Sequence, residues 1–496
     1  MLIGIKNNKI ILSINKFIDG RGFAPAYAAV VLAVHCLGLD VFGFVFSVLI
    51  FAYVNVFCDD VRPVFAMAFL APMCASEKHA PGYDHGDGYY TSAGVVAAIA
   101  VCVVLIVASA TFRFVAYKGY KNLFKKASLS TGLIAFSATL LTAGLFSKYW
   151  SADSLFAAGM VIGSSLVFYV YAATSLAPRE DNLRYIGRLC AVTTVEILAQ
   201  LLIFYIGNFD FSIGMLDDAW KGKIIIGWGI SNPIGEMLVM LLAGVFYLAY
   251  TEERGSMYYV LAMVSLIGTY FTLSRCALLV GVIVFFVGAF ALSAGSRQKP
   301  YNRILTLLFL ATLAFAVASV AKTNYIENFF KFFKDSKLND RGRFPLWKEF
   351  MDMWKSYPVF GTGFAAYMKI YGRPSVFHNF AHNTVVQLLS SAGVVGLAGY
   401  GFHRYQTVRL FVTRPNVKRA FFALGVLAYL AMGLLDPVLM YPNFMVIYTI
   451  MLVCVEKDKS NVGVGAHAAI TADCIEGKGQ QQSPAANNAK KAAENE

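Results

Sequence analysis

The stretch Cys276–Ala294, CALLVGVIVFFVGAFALSA, contains no charged residue and a single hydroxyl side chain. It has the length of about 20 apolar residues that a helix needs to cross a hydrocarbon core of roughly 30 Å. Arg275 precedes it directly and Arg297 follows it, so charged residues mark both ends. Because only helices and closed barrels satisfy their own backbone groups in lipid, the stretch predicts a membrane-spanning helix.

The composition extends this interpretation to the whole chain. The 496 residues are 58% hydrophobic and 14% charged, whereas soluble domains carry about 25% charged residues. We predict an all-α fold, a polytopic transmembrane helix bundle of about 12–14 spans with one large extracytoplasmic loop. The apolar runs that predict these spans lie near 24–38, 41–57, 63–75, 92–112, 130–147, 154–176, 189–206, 232–250, 257–273, 276–294, 304–321, 383–401, 420–434 and 443–455.

The basic residues between these runs predict the orientation of the bundle. With the N-terminus in the cytoplasm, most Lys and Arg residues fall in inner loops, as the positive-inside rule requires. The short outer loops then hold only Lys78, Lys148, Lys221, Lys223 and Arg275. The predicted regions are a cytoplasmic N-terminus (1–23), a transmembrane bundle (24–321), a large periplasmic loop with an interfacial helix (322–381), C-terminal transmembrane helices (382–455) and a disordered cytoplasmic tail (456–496).

Several functions are excluded by composition and motif. The net charge of +13 resides mainly in loops between spans, where basic residues fix topology and contact anionic headgroups; we therefore expect no nucleic acid partner. No C-x-x-C pair occurs among the eight cysteines, so we expect neither a disulfide framework nor a metal site. No cleavable signal peptide is predicted. The sequence has no G-x-x-x-x-G-K-[ST] loop, which argues against a transporter with its own ATPase domain, and we expect no cofactor.

The predicted outer loop is basic and contains an amphipathic segment. Trp347, Phe350, Met351 and Trp354 recur at helical spacing, which predicts a helix lying at the membrane interface. This helix would hold Arg341 and Arg343 at headgroup level, where a basic surface suits a phosphate-bearing lipid. A solvated loop with an ordinary surface helix is the alternative. The basic residues of the loop are Lys322, Lys331, Lys334, Lys337, Arg341, Arg343, Lys348, Lys355, Lys369 and Arg373.

Two histidines stand just before the span near 383–401. His378 and His382 are four residues apart, but a third metal ligand is not close in sequence, so a zinc site is weakly supported. A helix N-terminus disfavours imidazolium, so His382 would be neutral and able to accept a proton. An interfacial histidine that caps its helix is the alternative.

Arg275 lies between two spans with almost no loop. An ionisable residue at that depth is costly and is a functional candidate, and guanidinium geometry suits a diphosphate. The alternative is a structural ion pair with a carboxylate such as Glu236 or Asp436. Glu196 and Gln200 share a face of another span, where a polar interhelical contact is the simpler interpretation.

Three stretches, in order, resemble the O-antigen ligase/O-antigen polymerase superfamily. HNTVVQLLSSAGVVG (382–396) matches the H-N/S/Q-x9-G-x-x-G pattern of that family, GRFPLWKEFMDMWKSYPVFGTG (342–363) resembles the segment before it, and SRCALL (274–279) resembles an upstream Arg-bearing helix start. The resemblance covers roughly 257–401. It implies a membrane-embedded, metal-independent glycosyltransferase that uses undecaprenyl-diphosphate-linked glycans and no nucleotide sugar.

The resemblance also implies roles for particular residues. Arg275 and Arg343 would neutralise the diphosphate leaving group, with Arg341 as the alternative to Arg343, and His382 would accept the proton of the acceptor hydroxyl. Binding of the lipid diphosphate would involve Arg341, Trp347, His378 and Asn383.

The sequence does not identify the acceptor of the glycan. A polymerase extends another lipid-linked repeat, a ligase uses the lipid A core of lipopolysaccharide, and a related branch glycosylates proteins; the length and tail of this chain favour a polymerase for capsule or exopolysaccharide. The expected setting is the bacterial inner membrane, with cytoplasmic termini, a periplasmic active site, and lipids, chain-length regulators and flippases as partners.

A lipid-linked glycan flippase is the alternative of another class, but its charges should spread through midplane helices. A structural scaffold would leave Arg275 unexplained.

Overall fold

The computed structural model describes residues 8–72, 93–117, 129–208, 218–227, 229–321, 343–372, 380–413 and 415–459. These residues are almost entirely helical, which confirms the predicted all-α polytopic fold. Each predicted span overlaps a helix. Among the described residues, seven helical stretches, one of them the continuous stretch Ala152–Ser175, could each cross a membrane by length and composition, and the number is eight if a bent helix pair near the N-terminus is one span. Arg341, His378, nearly half of the outer loop and nearly all of the predicted tail lie outside the described residues.

The helices of the first half are α1 (Lys9–Ile18), α2 (Phe23–Cys36), α3 (Asp40–Phe57), α4 (Arg62–Leu70), α5 (Ala93–Ala116), α6 (Ser130–Leu141), α7 (Ala152–Ile162), a π-helical turn (Gly163–Val167), α8 (Phe168–Ser175), α9 (Asn182–Gly207) and α10 (Asp218–Lys223). A two-stranded antiparallel hairpin follows, with β1 (Ile225–Ile226) paired to β2 (Gly229–Ile230).

The helices of the second half are α11 (Ser231–Thr251), α12 (Gly255–Phe271), α13 (Arg275–Gly295), α14 (Lys299–Ala321), α15 (Arg343–Ser356), α16 (Ala366–Tyr371), α17 (Thr384–Val412), α18 (Val417–Met432) and α19 (Pro442–Glu456). A single 3₁₀ turn, Val438–Met440, precedes α19.

Helix α11 is the centre of the bundle. It is apolar on nearly all sides and is enclosed by α9, α12, α13 and α18, as expected for a helix that is hydrophobic all round. Small residues let its neighbours approach closely. A Cβ atom on Gly244 would lie 2.5 Å from the Cβ of Cys190 in α9, and one on Gly425 in α18 would lie 2.6 Å from the Cβ of Ala243.

One end of the bundle gathers basic residues of the predicted cytoplasmic loops. Arg62 pairs with Asp60 and Asp181 at 2.7 and 2.8 Å. Arg113 donates to the carbonyl oxygens of Cys58 and Asp59, just beyond the C-terminal end of α3, at 2.9 and 2.7 Å. Cations at a helix C-terminus complement its partial negative charge. Helix α11 ends near this side, while its N-terminus, at Ser231, lies at the opposite end.

The amphipathic helix near residue 347 is present as α15, but its buried face differs from the predicted one. Phe350 and Met353 are buried, whereas the predicted face residues Met351 and Trp354 are only partly covered. The difference arises because α15 packs against the following segment, where the ring of Phe350 stacks on that of Tyr367 with centroids 4.7 Å apart.

Candidate functional site

His382 stands immediately before the capping residue of α17. Its φ of 47° places the backbone in the left-handed region, which histidine adopts more readily than most residues do. Its Nδ1 atom lies 3.3 Å from Oδ1 of Asp436, whose side chain is 1% exposed while that of His382 is 39% exposed. The imidazole therefore presents one nitrogen to a buried carboxylate and keeps part of its ring accessible.

Asn383 fixes the start of α17. Its Oδ1 accepts hydrogen bonds from the backbone N–H groups of Val385 and Val386 at 2.9 and 3.1 Å, the usual chemistry of an Asn N-cap. Its Nδ2 donates to the carbonyl of Leu434 at 2.9 Å. These bonds join the start of α17 to the segment after α18 and hold His382 in place. The predicted binding of substrate by Asn383 stays a prediction.

Asp436 is the acceptor at the centre of this site. Besides His382, Nδ2 of Asn232 lies 2.8 Å from its Oδ2 and the hydroxyl of Tyr441 lies 3.4 Å from its Oδ1. Partners thus reach one buried carboxylate from the starts of α11 and α19 and from His382, the residue before the N-cap of α17. An imidazole that donates from Nδ1 to a carboxylate presents Nε2 as its proton acceptor.

A second carboxyl group lies one helical turn after Asn232. Glu236 of α11 is fully buried. It lies within electrostatic range of Asp436 and of two cations, Arg343 from α15 and Lys221 from α10. The four groups come from different parts of the chain, so the fold concentrates both signs of charge at this end of α11.

Arg275 begins α13 beside the same helix start. Ser274 caps α13, with its Oγ accepting from the N–H of Ala277 at 3.4 Å. A Cβ atom on Gly235 of α11 would lie 2.9 Å from the Cβ of Ala277, so the two helix starts touch. The Nε and Nη2 atoms of Arg275 are shielded from solvent. Its neighbour Cys276 lies within electrostatic range of Glu236, Asp436, Arg343 and Lys221.

Helix α15 carries Arg343 and Trp347 to this region. The indole Nε1 of Trp347 donates to the carbonyl of Ala381 at 2.6 Å, one residue before His382. Trp347 therefore positions the backbone that carries His382, and its predicted contact with the lipid diphosphate stays a prediction. The structure thus places Arg343, the start of α13 and His382 around the N-terminal end of α11.

The glycine-containing parts of the two motifs, 342–363 and 382–396, pack against each other next to the site. Helix α17 breaks at Gly393, where φ is 67° and ψ is −164°. The N–H of Val394 donates to the carbonyl of Pro358 at 3.0 Å, and the N–H of Gly363 donates to the carbonyl of Ser391 at 2.9 Å. A Cβ atom on Gly393 would lie 2.2 Å from the oxygen of Val359. The segment after α15 therefore satisfies the backbone groups that the break exposes.

Five residues near the site were not among those predicted from sequence: Lys221, Asn232, Glu236, Asp436 and Tyr441. The two carboxylates had a sequence signal, since each lies in apolar surroundings where an ionisable group is costly, and they were considered only as structural partners of Arg275. Lys221 looked like an ordinary loop residue. In the part of the chain that the structure describes, no group of three or more His, Cys, Asp or Glu residues could hold a metal ion.

The comparison with known families adds one finding. Residues 237–401 match the family model described as O-antigen ligase, which confirms the resemblance found in the sequence. The match extends from α11 to the middle of α17 and includes Arg275, Arg343 and His382, while Lys221 and Asp436 lie outside it. No curated protein matches the chain.

Proposed function

We propose that this chain is a glycosyltransferase of surface polysaccharide synthesis, because residues 237–401 match the O-antigen ligase family model and the chain has several helices that could cross a membrane. It moves a glycan from undecaprenyl diphosphate to an acceptor hydroxyl at the periplasmic face of the inner membrane. The observation that carries the proposal is the pairing of the part-exposed His382 with the buried Asp436. Such a pair is suited to general base catalysis.

In the proposed reaction, the acceptor oxygen attacks the anomeric carbon of the lipid-linked glycan. The bond between that carbon and the diphosphate oxygen breaks, and its electron pair leaves with the diphosphate. Nε2 of His382 takes the hydroxyl proton. Asp436, which accepts from Nδ1, stabilises the imidazolium that forms, because a buried carboxylate interacts strongly with a nearby positive charge.

The cations supply the second part of the mechanism. Negative charge grows on the diphosphate as it leaves, and preorganised positive groups stabilise that charge. Arg275 and Arg343 are suited to this role because a guanidinium can bind phosphate oxygens in a bidentate manner. Lys221 adds a third positive charge in range of Glu236 and Cys276.

The choice of acceptor divides the proposal into two. A polymerase for capsule or exopolysaccharide is the first version, and a ligase to the lipid A core is the alternative. Both use the same His382–Asp436 pair, since each removes a proton from a sugar hydroxyl. Neither version requires a metal or a nucleotide sugar.

The test is a gel of surface and lipid-linked glycans from a deletion strain complemented with wild type, His382→Ala, Arg275→Ala or the control Lys348→Ala. Lys348 is an exposed cation on α15. We expect Lys348→Ala to behave as wild type and the other two variants to lose transfer. Single capped repeats would indicate a polymerase, and full-length chains retained on the carrier lipid would indicate a ligase. Normal glycans from both site variants would overturn the proposal.

A further inference from the structure

Helix α1 has three distinct faces. Its first face packs on the bundle through Ile11, Asn15 and Ile18. The side chain of Asn15 makes two of these contacts, because its Nδ2 donates to the carbonyl of Phe57 at 3.1 Å and its Oδ1 accepts from the hydroxyl of Tyr53 at 3.0 Å. These contacts fix the rotation of α1 about its own axis.

The second face is apolar and exposed. Ile10, Ile14 and Phe17 are 70%, 40% and 55% exposed, and their spacing of four and three residues places them on one stripe of the helix. The third face is polar, with Lys9, Ser13 and Lys16 all exposed, and Leu12, which is 51% exposed, lies between this face and the packed one. A helix with an apolar stripe beside a basic stripe is the pattern of a segment that lies in a membrane interface.

The direction of α1 fits a position in the plane of the membrane. The axis of α1 is bent by 84° from that of α2, the apolar helix that follows it. With 14 residues, α2 is not by itself one of the seven candidate spans, but it covers most of the predicted span 24–38. With α2 crossing the membrane as that prediction has it, a helix nearly perpendicular to α2 runs parallel to the membrane surface. The bend also brings Phe17 edge-on to Phe23 at the start of α2, with ring centroids 6.1 Å apart.

The contacts of α1 identify the leaflet. Phe57, which accepts from Asn15, ends α3, and Asp19 at the end of α1 interacts electrostatically with Asp60, Arg62 and Arg179. These residues belong to the basic end of the bundle, which the positive-inside rule assigns to the cytoplasm. The cytoplasmic leaflet carries anionic lipids that attract Lys and Arg, so the charges of Lys9 and Lys16 complement it.

We propose that α1 is an interfacial anchor in the cytoplasmic leaflet, with Ile10, Ile14 and Phe17 inserted among the acyl chains and Lys9 and Lys16 on anionic headgroups. This assignment is independent of the proposed enzymatic function. It gives the region predicted only as a cytoplasmic N-terminus a defined binding partner, a lipid surface.

The test uses full-length protein carrying p-benzoyl-phenylalanine at position 14, with position 13 as the control on the polar face and position 11 as the control on the packed face. The protein is placed in bilayers of phosphatidylcholine with or without phosphatidylglycerol, and lipid adducts are measured after irradiation. We expect position 14 to give about fivefold more acyl-chain adducts than position 13 and position 11 to crosslink within the chain.

A second arm tests the headgroup preference. Phosphatidylglycerol should increase the adducts at position 14, and the double variant Lys9→Ala/Lys16→Ala should remove most of that increase. Equal adducts at positions 13 and 14 would overturn the proposal. So would crosslinking of position 14 to another segment of the chain or to a second copy, because the apolar stripe would then have a protein partner.

Discussion

Nδ1 of His382 lies 3.3 Å from Oδ1 of Asp436, although 54 residues separate them in sequence. The contact depends on three helix ends: Asn383 caps α17 and binds the segment after α18, Asn232 at the start of α11 binds the other oxygen of Asp436, and Tyr441 precedes α19. The pair is therefore a product of tertiary packing, and its chemistry should be sensitive to changes in the partners of Asp436.

Replacing Asp436 by Asn should reduce catalysis without removing the fold. The amide keeps the volume of the side chain but carries no charge to stabilise an imidazolium, so we expect the transfer rate to fall by about 10²–10⁴-fold. The measurement is the rate of glycan transfer by purified protein in nanodiscs. Asp352→Asn is the control, because Asp352 lies on the exposed side of α15 and pairs with Lys355. Activity of Asp436→Asn within threefold of the control would contradict the assignment.

Replacing Arg343 by Ala should remove positive charge where the diphosphate leaves. We expect a loss of about 10²–10³-fold in transfer rate, with partial recovery in Arg343→Lys, since Lys restores the charge but not the bidentate geometry. Lys348→Ala, five residues along the same helix, should be neutral. Equal effects of Arg343→Ala and Lys348→Ala would mean that the general charge of α15, rather than Arg343, is what matters.

Lys221 should contribute less than Arg275 and Arg343 to binding of the lipid diphosphate, because a flexible ammonium binds phosphate as a point charge. We expect Lys221→Ala to weaken use of the lipid substrate by about tenfold, seen mainly as a higher KM. Lys223→Ala is the matched control, since Lys223 is exposed at the end of the same short helix. An unchanged KM in Lys221→Ala would remove this residue from the site.

The break in α17 yields a stability prediction. In Gly393→Ala the new Cβ would meet the oxygen of Val359, and the left-handed backbone would be strained, so we expect a loss of about 1–3 kcal/mol in the free energy of unfolding. Gly401→Ala is the control on the same helix, because nothing lies within 4 Å of its added Cβ. That change should stabilise the helix by about 0.5–1 kcal/mol. A lower melting temperature for Gly401→Ala than for Gly393→Ala would contradict this account.

The sequence predicts much of the fold because hydrophobic length is a local property. The run after Arg275 and the start of a helix near residue 383 can both be located without tertiary information. The partner of His382 cannot, since Asp436 lies on a different helix connection and only packing brings it close. The sequence also does not predict that α17 breaks at Gly393 and packs there against the segment after α15. A glycine in an apolar run ordinarily indicates close packing of two helices.

Side-chain direction is harder to predict than helix position. The spacing of Trp347 and Trp354 suggested that both tryptophans share the apolar face of α15, yet Met353 is buried and Trp354 only partly covered. The segment that contains Tyr367 packs against the face that carries Phe350. In helix α1 the apolar residues are visible in the sequence, but they are too few to predict a membrane span.

The central claim, that His382 accepts the acceptor proton, is tested most directly by chemical rescue of His382→Ala. Transfer by the purified variant is measured with and without added imidazole, over a range of pH. We expect a loss of about 10²–10⁴-fold that imidazole partly restores, with rescue rising as the added imidazole loses its proton. Transfer by His382→Ala within threefold of wild type, without imidazole, would contradict the account.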